Sequence, residues 1–289
     1  MHVHGENLKQ KETHPTKYKD ETSKEYIKEI RVEYDVWKTA NAALKGPSVK
    51  PSADDMKTIS KRVKLFSDYK DFIDQQKYAE QFDARSNLHS SVLEEFIYYL
   101  FHDLVLDYSK SALIGKGSMF KDIFFNAPNF KSMIQRPHAT FEEKDHDFVI
   151  GIIVDTKLCC EGSEEVEQFR LQIPAVAIEC KTYLDKTMLE GSSTAAEQLK
   201  MKNPNAIYMV AAEWLKLTEG INLRKFKVDQ IYILRKQKNT DREFRYAEEY
   251  RKTPIQDDVV VHMFETVRTH LTKDWETGIA FGLERGYLL

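Results

Sequence analysis

Cysteine is scarce: three residues in a chain of 289, two of them adjacent at Cys159 and Cys160. That excludes a disulfide framework, and no His/Cys spacing offers a zinc site. Long apolar runs are missing, with nothing approaching the roughly 18 residues of a membrane span. Residues 1–19 are polar and basic without the apolar stretch of a secretory signal. A reducing, cytoplasmic setting with no membrane contact is therefore expected. The Gly-x-x-x-x-Gly-Lys-Ser/Thr pattern is absent, so Gly115-Lys116-Gly117 is not a nucleotide loop. Nor does one sign of charge dominate: the net charge of −3 speaks mildly against a generic nucleic-acid coat.

What is present is 42% hydrophobic and 31% charged residues, enough for one large domain or two smaller ones. The charge is unevenly distributed. Residues 139–199 hold 13 acids against 5 bases, a net −8, whereas residues 200–252 hold 7 acids against 13 bases, a net +6. The first segment suits a metal site and the second a surface that tracks phosphate.

The chain is organised around residues 145–181. Asp147-Phe148-Val149-Ile150-Gly151-Ile152-Ile153-Val154 and Ile173-Pro174-Ala175-Val176-Ala177-Ile178-Glu179-Cys180-Lys181 read as two strands, β-branched and bounded by Gly, Pro and charge. Each also carries charge where burial forbids it. A period of two places Glu179 and Lys181 on one face and Cys180 on the other. An acid and an amine on an apolar strand need each other or a metal. Adding Asp147 from the preceding strand gives a site for a hard cation.

Residues 20–83 read as helices, with Tyr26, Ile30, Tyr34 and Trp37 on one stripe and Ile59, Val63, Phe66 and Ile73 on a second, separated by the break at Gly46-Pro47. Lys61, Arg62 and Lys64 are a solvated face or a phosphate contact. Residues 86–106 form the strongest helix, with Leu93, Phe96, Ile97, Leu100 and Leu104 on one face. Glu94 borders that face, as an inward carboxylate or a surface acid; Glu95 points to solvent. Residues 107–138 are loop-prone, and Lys110, Lys116 and Lys121 there suit contact with DNA. A helix begins near Ser193 or Thr194, with Gln198 on it as either a surface residue or, by family resemblance, a polar neighbour of the site. Residues 205–212 and 230–235 are further strands, and 259–271 is a closing amphipathic helix. Between these last elements Arg235, Lys236, Lys238, Asn239, Thr240, Asp241, Arg242 and Arg245 make a basic connection, either an exposed loop or a reader of bases, since Arg and Asn pair bidentately with guanine and adenine.

His146-Asp147 followed, 32 residues after the aspartate, by Glu179-Cys180-Lys181 resembles the PD-(D/E)XK nuclease superfamily, with His146 standing at the family's Pro. Together with Leu93-Glu94-Glu95-Phe96 and Lys186-Thr187-Met188-Leu189-Glu190-Gly191, it resembles type II restriction endonucleases, in particular subunits of the BbvCI-like heterodimeric group, over about residues 86–215. The resemblance implies an α/β fold: an αβββαβ core with a mixed central sheet flanked by helices. With the helical stripes of residues 20–83, which the resemblance does not cover, the chain is expected to divide into an N-terminal helical region, 1–85, that contacts DNA or a partner subunit, and a catalytic domain, 86–289. The resemblance further implies Mg²⁺-dependent cleavage of double-stranded DNA at a specific sequence by a homodimer or a heterodimer of related subunits. Asp147, Glu179 and the Cys180 carbonyl hold the metal, Lys181 lies beside the attacking water, and Glu94 reaches the metal directly or through water. Asp145 is the alternative to Asp147. Lys116, Arg235, Lys236 and Lys238 are the expected DNA contacts. A repair or phage-type nuclease on the same fold, and a non-catalytic DNA-binding subunit, are the rival functions.

Overall fold

The two β-branched runs become the middle of a five-stranded sheet in the computed structural model, which describes residues 2–82, 87–238, 246–275 and 279–287. The strands are β1 (Leu113–Phe125), β2 (Ala139–Cys159), β3 (Val166–Leu184), β4 (Ile207–Leu215) and β5 (Gln230–Ile233), ordered as numbered. The pairs β1–β2 and β2–β3 are antiparallel; β3–β4 and β4–β5 are parallel. This is the mixed sheet expected.

The expected loop around Gly115-Lys116-Gly117 is instead part of β1. Gly117 is there for closeness: a Cβ on it would stand 2.6 Å from Val149 Cγ2, so the glycine marks a tight strand approach.

Helices cover both faces. On one side lie α1 (Val3–Thr13), α2 (Glu21–Ala43), α3 (Asp55–Ile73), the short α4 (Gln76–Gln81) and α5 (Ser91–Tyr108). α6 (Phe130–Gln135) joins β1 to β2, and α7 (Lys186–Lys202) links β3 to β4. α8 (Asp257–Thr272) and α9 (Ile279–Arg285) close the chain. Phe148, Ile150, Val176, Ile178 and Met209 pack beneath α5 and α8, with Phe66 stacked on Phe96 at 4.3 Å and Phe101 on Phe264 at 5.6 Å. Each such fully buried side chain contributes about 1.5–3 kcal/mol. On the opposite face Val149, Ala177, Tyr208 and Val210 meet Leu189, Ala195, Ala196 and Leu199 of α7.

α7 starts earlier than Ser193 or Thr194. Asp185 caps it, accepting from Met188 N at 2.8 Å, and the helix runs straight through Gly191. The cap and the apolar face outweigh the cost of about 1 kcal/mol of an interior glycine. α1 was not expected at all: Leu8 is its sole buried large apolar residue, and tertiary contacts rather than periodicity hold it. Ser86, the expected start of α5, and the boundary at 85/86 lie outside the described residues. The core under α5 is shared by residues from Leu8 to Val267.

Candidate active site

A β-bulge places the first acid. Gly115 pairs with Val149 and Gly117 with His146, so β2 sets two residues, Asp147 and Phe148, against the single Lys116 of β1. Such an extra residue re-aims its side chain. Asp147 Oδ2 accepts from the backbone N–H of Cys180 at 2.9 Å and from Lys181 Nζ at 3.2 Å. Lys181 Nζ also donates to Glu179 Oε1 at 2.6 Å, and Tyr208 Oη donates to Glu179 Oε2 at 3.1 Å. The two acids and the amine thus converge at adjoining strands, each about a quarter exposed, with side-chain accessibilities of 23%, 21% and 25%. The triad is open to a ligand yet shielded enough for its charges to interact strongly.

Asp147, Lys181 and the Cys180 backbone border a cavity of about 310 Å³, together with Glu94 and Ser90 of α5, Lys116 of β1 and Asn87. Glu179 does not itself line it and reaches it through the Lys181 ammonium. Glu94 is buried, with Oε2 lacking a hydrogen-bond partner. Burial, then the charge of Asp147, pushes its carboxyl up to about 7. Burial and then Glu179 raise the Asp147 carboxyl against the pull of Lys181. For Lys181, burial disfavours the charged form, but the two carboxylates outweigh it and hold the amine's pKa above the usual lysine value. Asp145 points elsewhere: it is exposed and accepts from Ser118 Oγ at 2.6 Å on β1. His146 is buried and, through burial first, drops to about 4, so it packs as a neutral ring against Tyr208.

These groups fit a hydrated divalent ion better than a dry cage. Among the described residues no three His, Cys, Asp or Glu side chains form a ready-made metal cluster. Yet the Lys181 ammonium bridges only Asp147 and Glu179, and the nearby Glu94 keeps a buried oxygen without a hydrogen-bond partner. Magnesium characteristically takes one or two carboxylates and retains waters.

Several expected sites fall elsewhere. Arg235 is buried: it donates to Glu213 Oε2 at 3.4 Å, donates to the Thr253 carbonyl at 2.9 Å and lies over Trp214 at 4.7 Å. Its charge answers a buried acid, so it is not a DNA contact. Lys236 pairs with Asp258 at 2.5 Å and Lys238 with Glu219, both on the surface. Asn239, Thr240, Asp241, Arg242 and Arg245 lie outside the described residues. Arg62 is buried against the carbonyls of Asn41, Leu44 and Gly46, Lys64 pairs with Asp68, and Lys121 pairs with Glu142. Gln198 does not line the cavity.

Glu95 is the clearest reversal. Expected in solvent, it is fully buried, because α5 is covered on nearly every side. Sequence reasoning also missed Tyr208; its signal was a phenol inside an otherwise apolar strand, where the hydroxyl needs a partner.

The sequence model of the family described as Bpu10I restriction endonuclease matches residues 85–288. The chain belongs to this restriction endonuclease family. Its fold is similar to that of a chain in the native BbvCI A2B2 tetramer, a low-resolution structure, with a TM-score of 0.71 at 20% identity over 96% of this chain and 99% of that one. No curated protein matches. As a Bpu10I-family restriction endonuclease the protein is a hydrolase that binds DNA and cuts it internally. Among the described residues no helix is long and apolar enough to cross a membrane.

Proposed function

We propose that this family member is a type II, Mg²⁺-dependent, site-specific subunit, working in the cytoplasm, whose cavity cuts one strand of duplex DNA. The observation that carries the reading is Lys181, whose single ammonium joins Asp147 and Glu179 at adjoining strands beside Glu94. Asp147 and Glu179, with the Cys180 carbonyl, would hold the ion. Bound there, Mg²⁺ supplies positive charge against the phosphate and lowers the pKa of its water.

The chain's own groups do the rest. Lys181 enters charged, so it donates: it orients the attacking water and offsets the negative charge that builds on the phosphate. The Cys180 N–H and Lys181 fix Asp147 on one oxygen, and Tyr208 with Lys181 fixes Glu179 on both. Glu94, at a pKa of about 7, is poised to hold or release a proton near neutral pH. Lys116, exposed on the cavity rim, meets a backbone phosphate. Lys236 and Lys238, on the surface outside the cavity lining, reach phosphate by exchanging weak ion pairs with Asp258 and Glu219 for it. Residues 1–85 add DNA or subunit contacts to the catalytic part, 86–289.

The A2B2 composition of the similar BbvCI assembly supports a partner that is a second copy or a related chain. Incubating the purified chain with plasmid and Mg²⁺, alone and with a related subunit, tests the reading. Nicks at discrete positions, or cleavage only with the partner, are expected. Unchanged plasmid under every condition, or sequence-independent loss of DNA, overturns it.

A further inference from the structure

We propose that α1 is a positioning element of the active site, clamping α5 from behind so that Glu94 stays turned into the cavity. The inference rests on the reading that Glu94 belongs to the catalytic site. Ser90 and Glu94 line the cavity, whereas the next residues around the helix, Ser91 and Glu95, face α1.

Apart from the buried Leu8, the clamp is polar. Glu95 Oε2 accepts from the first amides of α1, His4 N at 2.9 Å and Gly5 N at 3.2 Å. Its Oε1 accepts from Tyr34 Oη and Tyr99 Oη, both at 3.0 Å. The fully buried His4 ring bonds Ser91 Oγ at 2.8 Å with one nitrogen and Tyr69 Oη at 2.7 Å with the other. Asn7 Nδ2 reaches the carbonyl of Asn87, itself on the cavity wall, at 3.4 Å. At Gly5 a Cβ would sit 2.8 Å from Tyr34 Cζ, so α1 can seat only because that position has no side chain.

Alone, an 11-residue helix of this polarity would not persist, since isolated helices shorter than about 12–15 residues are marginal in water. Apolar packing would hold α1 with little regard to rotation. Directed hydrogen bonds accepted by a buried carboxylate fix the rotation of α5 about its own axis, and that rotation decides where Glu94 points. Misplacing a reacting group by about 1 Å costs on the order of 100-fold.

The test uses the full chain with its partner if one is required. Gly5→Ala and Glu95→Ala are compared with the parent for kcat and KM in Mg²⁺, and for DNA affinity by mobility shift. Each should lower kcat by about 10–100-fold with KM and affinity within about twofold, and Glu95→Gln, which keeps an acceptor for the α1 amides, should restore most of the rate. In a Glu94→Gln background, followed in single turnover, Gly5→Ala should add no further loss. Parental kcat in folded Gly5→Ala and Glu95→Ala chains, or a loss that persists undiminished in the Glu94→Gln background, overturns the clamp. Parental cleavage by Glu94→Gln alone removes the underlying site reading instead. If Glu95→Ala fails to fold, Gly5→Ala decides alone.

Discussion

An ammonium shared by two carboxylates is a demanding arrangement: Lys181 stays charged because Asp147 and Glu179 face it, while burial and Glu179 raise the Asp147 carboxyl against the pull of that ammonium. Asp147→Ala or Lys181→Ala is expected to reduce cleavage by at least about 10³-fold while leaving the circular dichroism spectrum and DNA mobility shift unchanged. Parental rates in either variant, at matched Mg²⁺, would remove the assignment. Tyr208→Phe deletes one hydrogen bond to Glu179, about 1 kcal/mol, so cleavage should fall several-fold without abolition, and the Mg²⁺ concentration for half-maximal rate should rise. At this scale the sequence was informative wherever two groups shared a strand: Glu179 and Lys181 follow from alternation alone. Asp147 was legible as an acid before an apolar run, although the bulge that turns it was not. Glu95 and Tyr208 escaped because their partners, Tyr34 and Glu179, are 61 and 29 residues away.

Among the elements, the glycines separate close approach from mere tolerance. Gly151 sits at the irregularity where β2 meets Pro174, and a Cβ there would lie 2.7 Å from Pro174 Cα and 2.9 Å from the Ile173 carbonyl carbon. Backbone cannot yield as a flexible side chain does, so Gly151→Ala should lower the unfolding free energy by about 1–3 kcal/mol in urea titration. Gly191, exposed within α7, has nothing within 4 Å of a built Cβ, and Gly191→Ala should instead raise stability by about 0.5–1 kcal/mol. The opposite signs check the register of β2 on β3 and the early start of α7 together. Long amphipathic helices were legible from their stripes, as α2, α3 and α8 show. β1 was not, since glycines that admit a neighbouring strand look the same in sequence as glycines that make a loop.

For the molecule as a whole, buried charge couples the helical layer to the sheet. Lys70 of α3 is fully buried between Asp74 at 3.2 Å and Glu213 of β4 at 3.0 Å, and His89 bonds Asp74 at 2.8 Å. Removing the ammonium in Lys70→Met leaves Asp74 to His89 and Glu213 to the longer contact with Arg235, and on the order of 3 kcal/mol of stability should go with it. Burial opposes the Asp74 charge, but Lys70 and His89 outweigh it and hold the carboxyl well below the ordinary 3.8. Its stabilising contribution is therefore present above pH 3.8 and is lost as the solution becomes more acid. His4 and His270 are likewise shifted down, kept below 6.5 chiefly by burial, which disfavours the charged ring. Protonation then favours the unfolded chain, and their contribution is intact above pH 6.5 and declines below it. The melting temperature should accordingly fall as pH drops from 6.5 to 4.5 and fall again below about 4, with His4→Gln blunting the first step; a flat profile over that range would contradict the buried neutral rings. The mixed α/β sheet could be read in advance from strand and helix order, but this ionic seam could not, because Lys70 with Asp74, His89, Glu213 and Arg235 come from four separate stretches of chain.

His2, just ahead of α1, lies 3.4 Å from the carboxylate of Glu95, which is carried by the helix that borders the catalytic cavity. Bulk introduced beside His2 by an affinity handle on its N-terminal side therefore presses on the seat of Glu95, and a preparation made that way reports a sluggish enzyme whose defect belongs to the purification strategy.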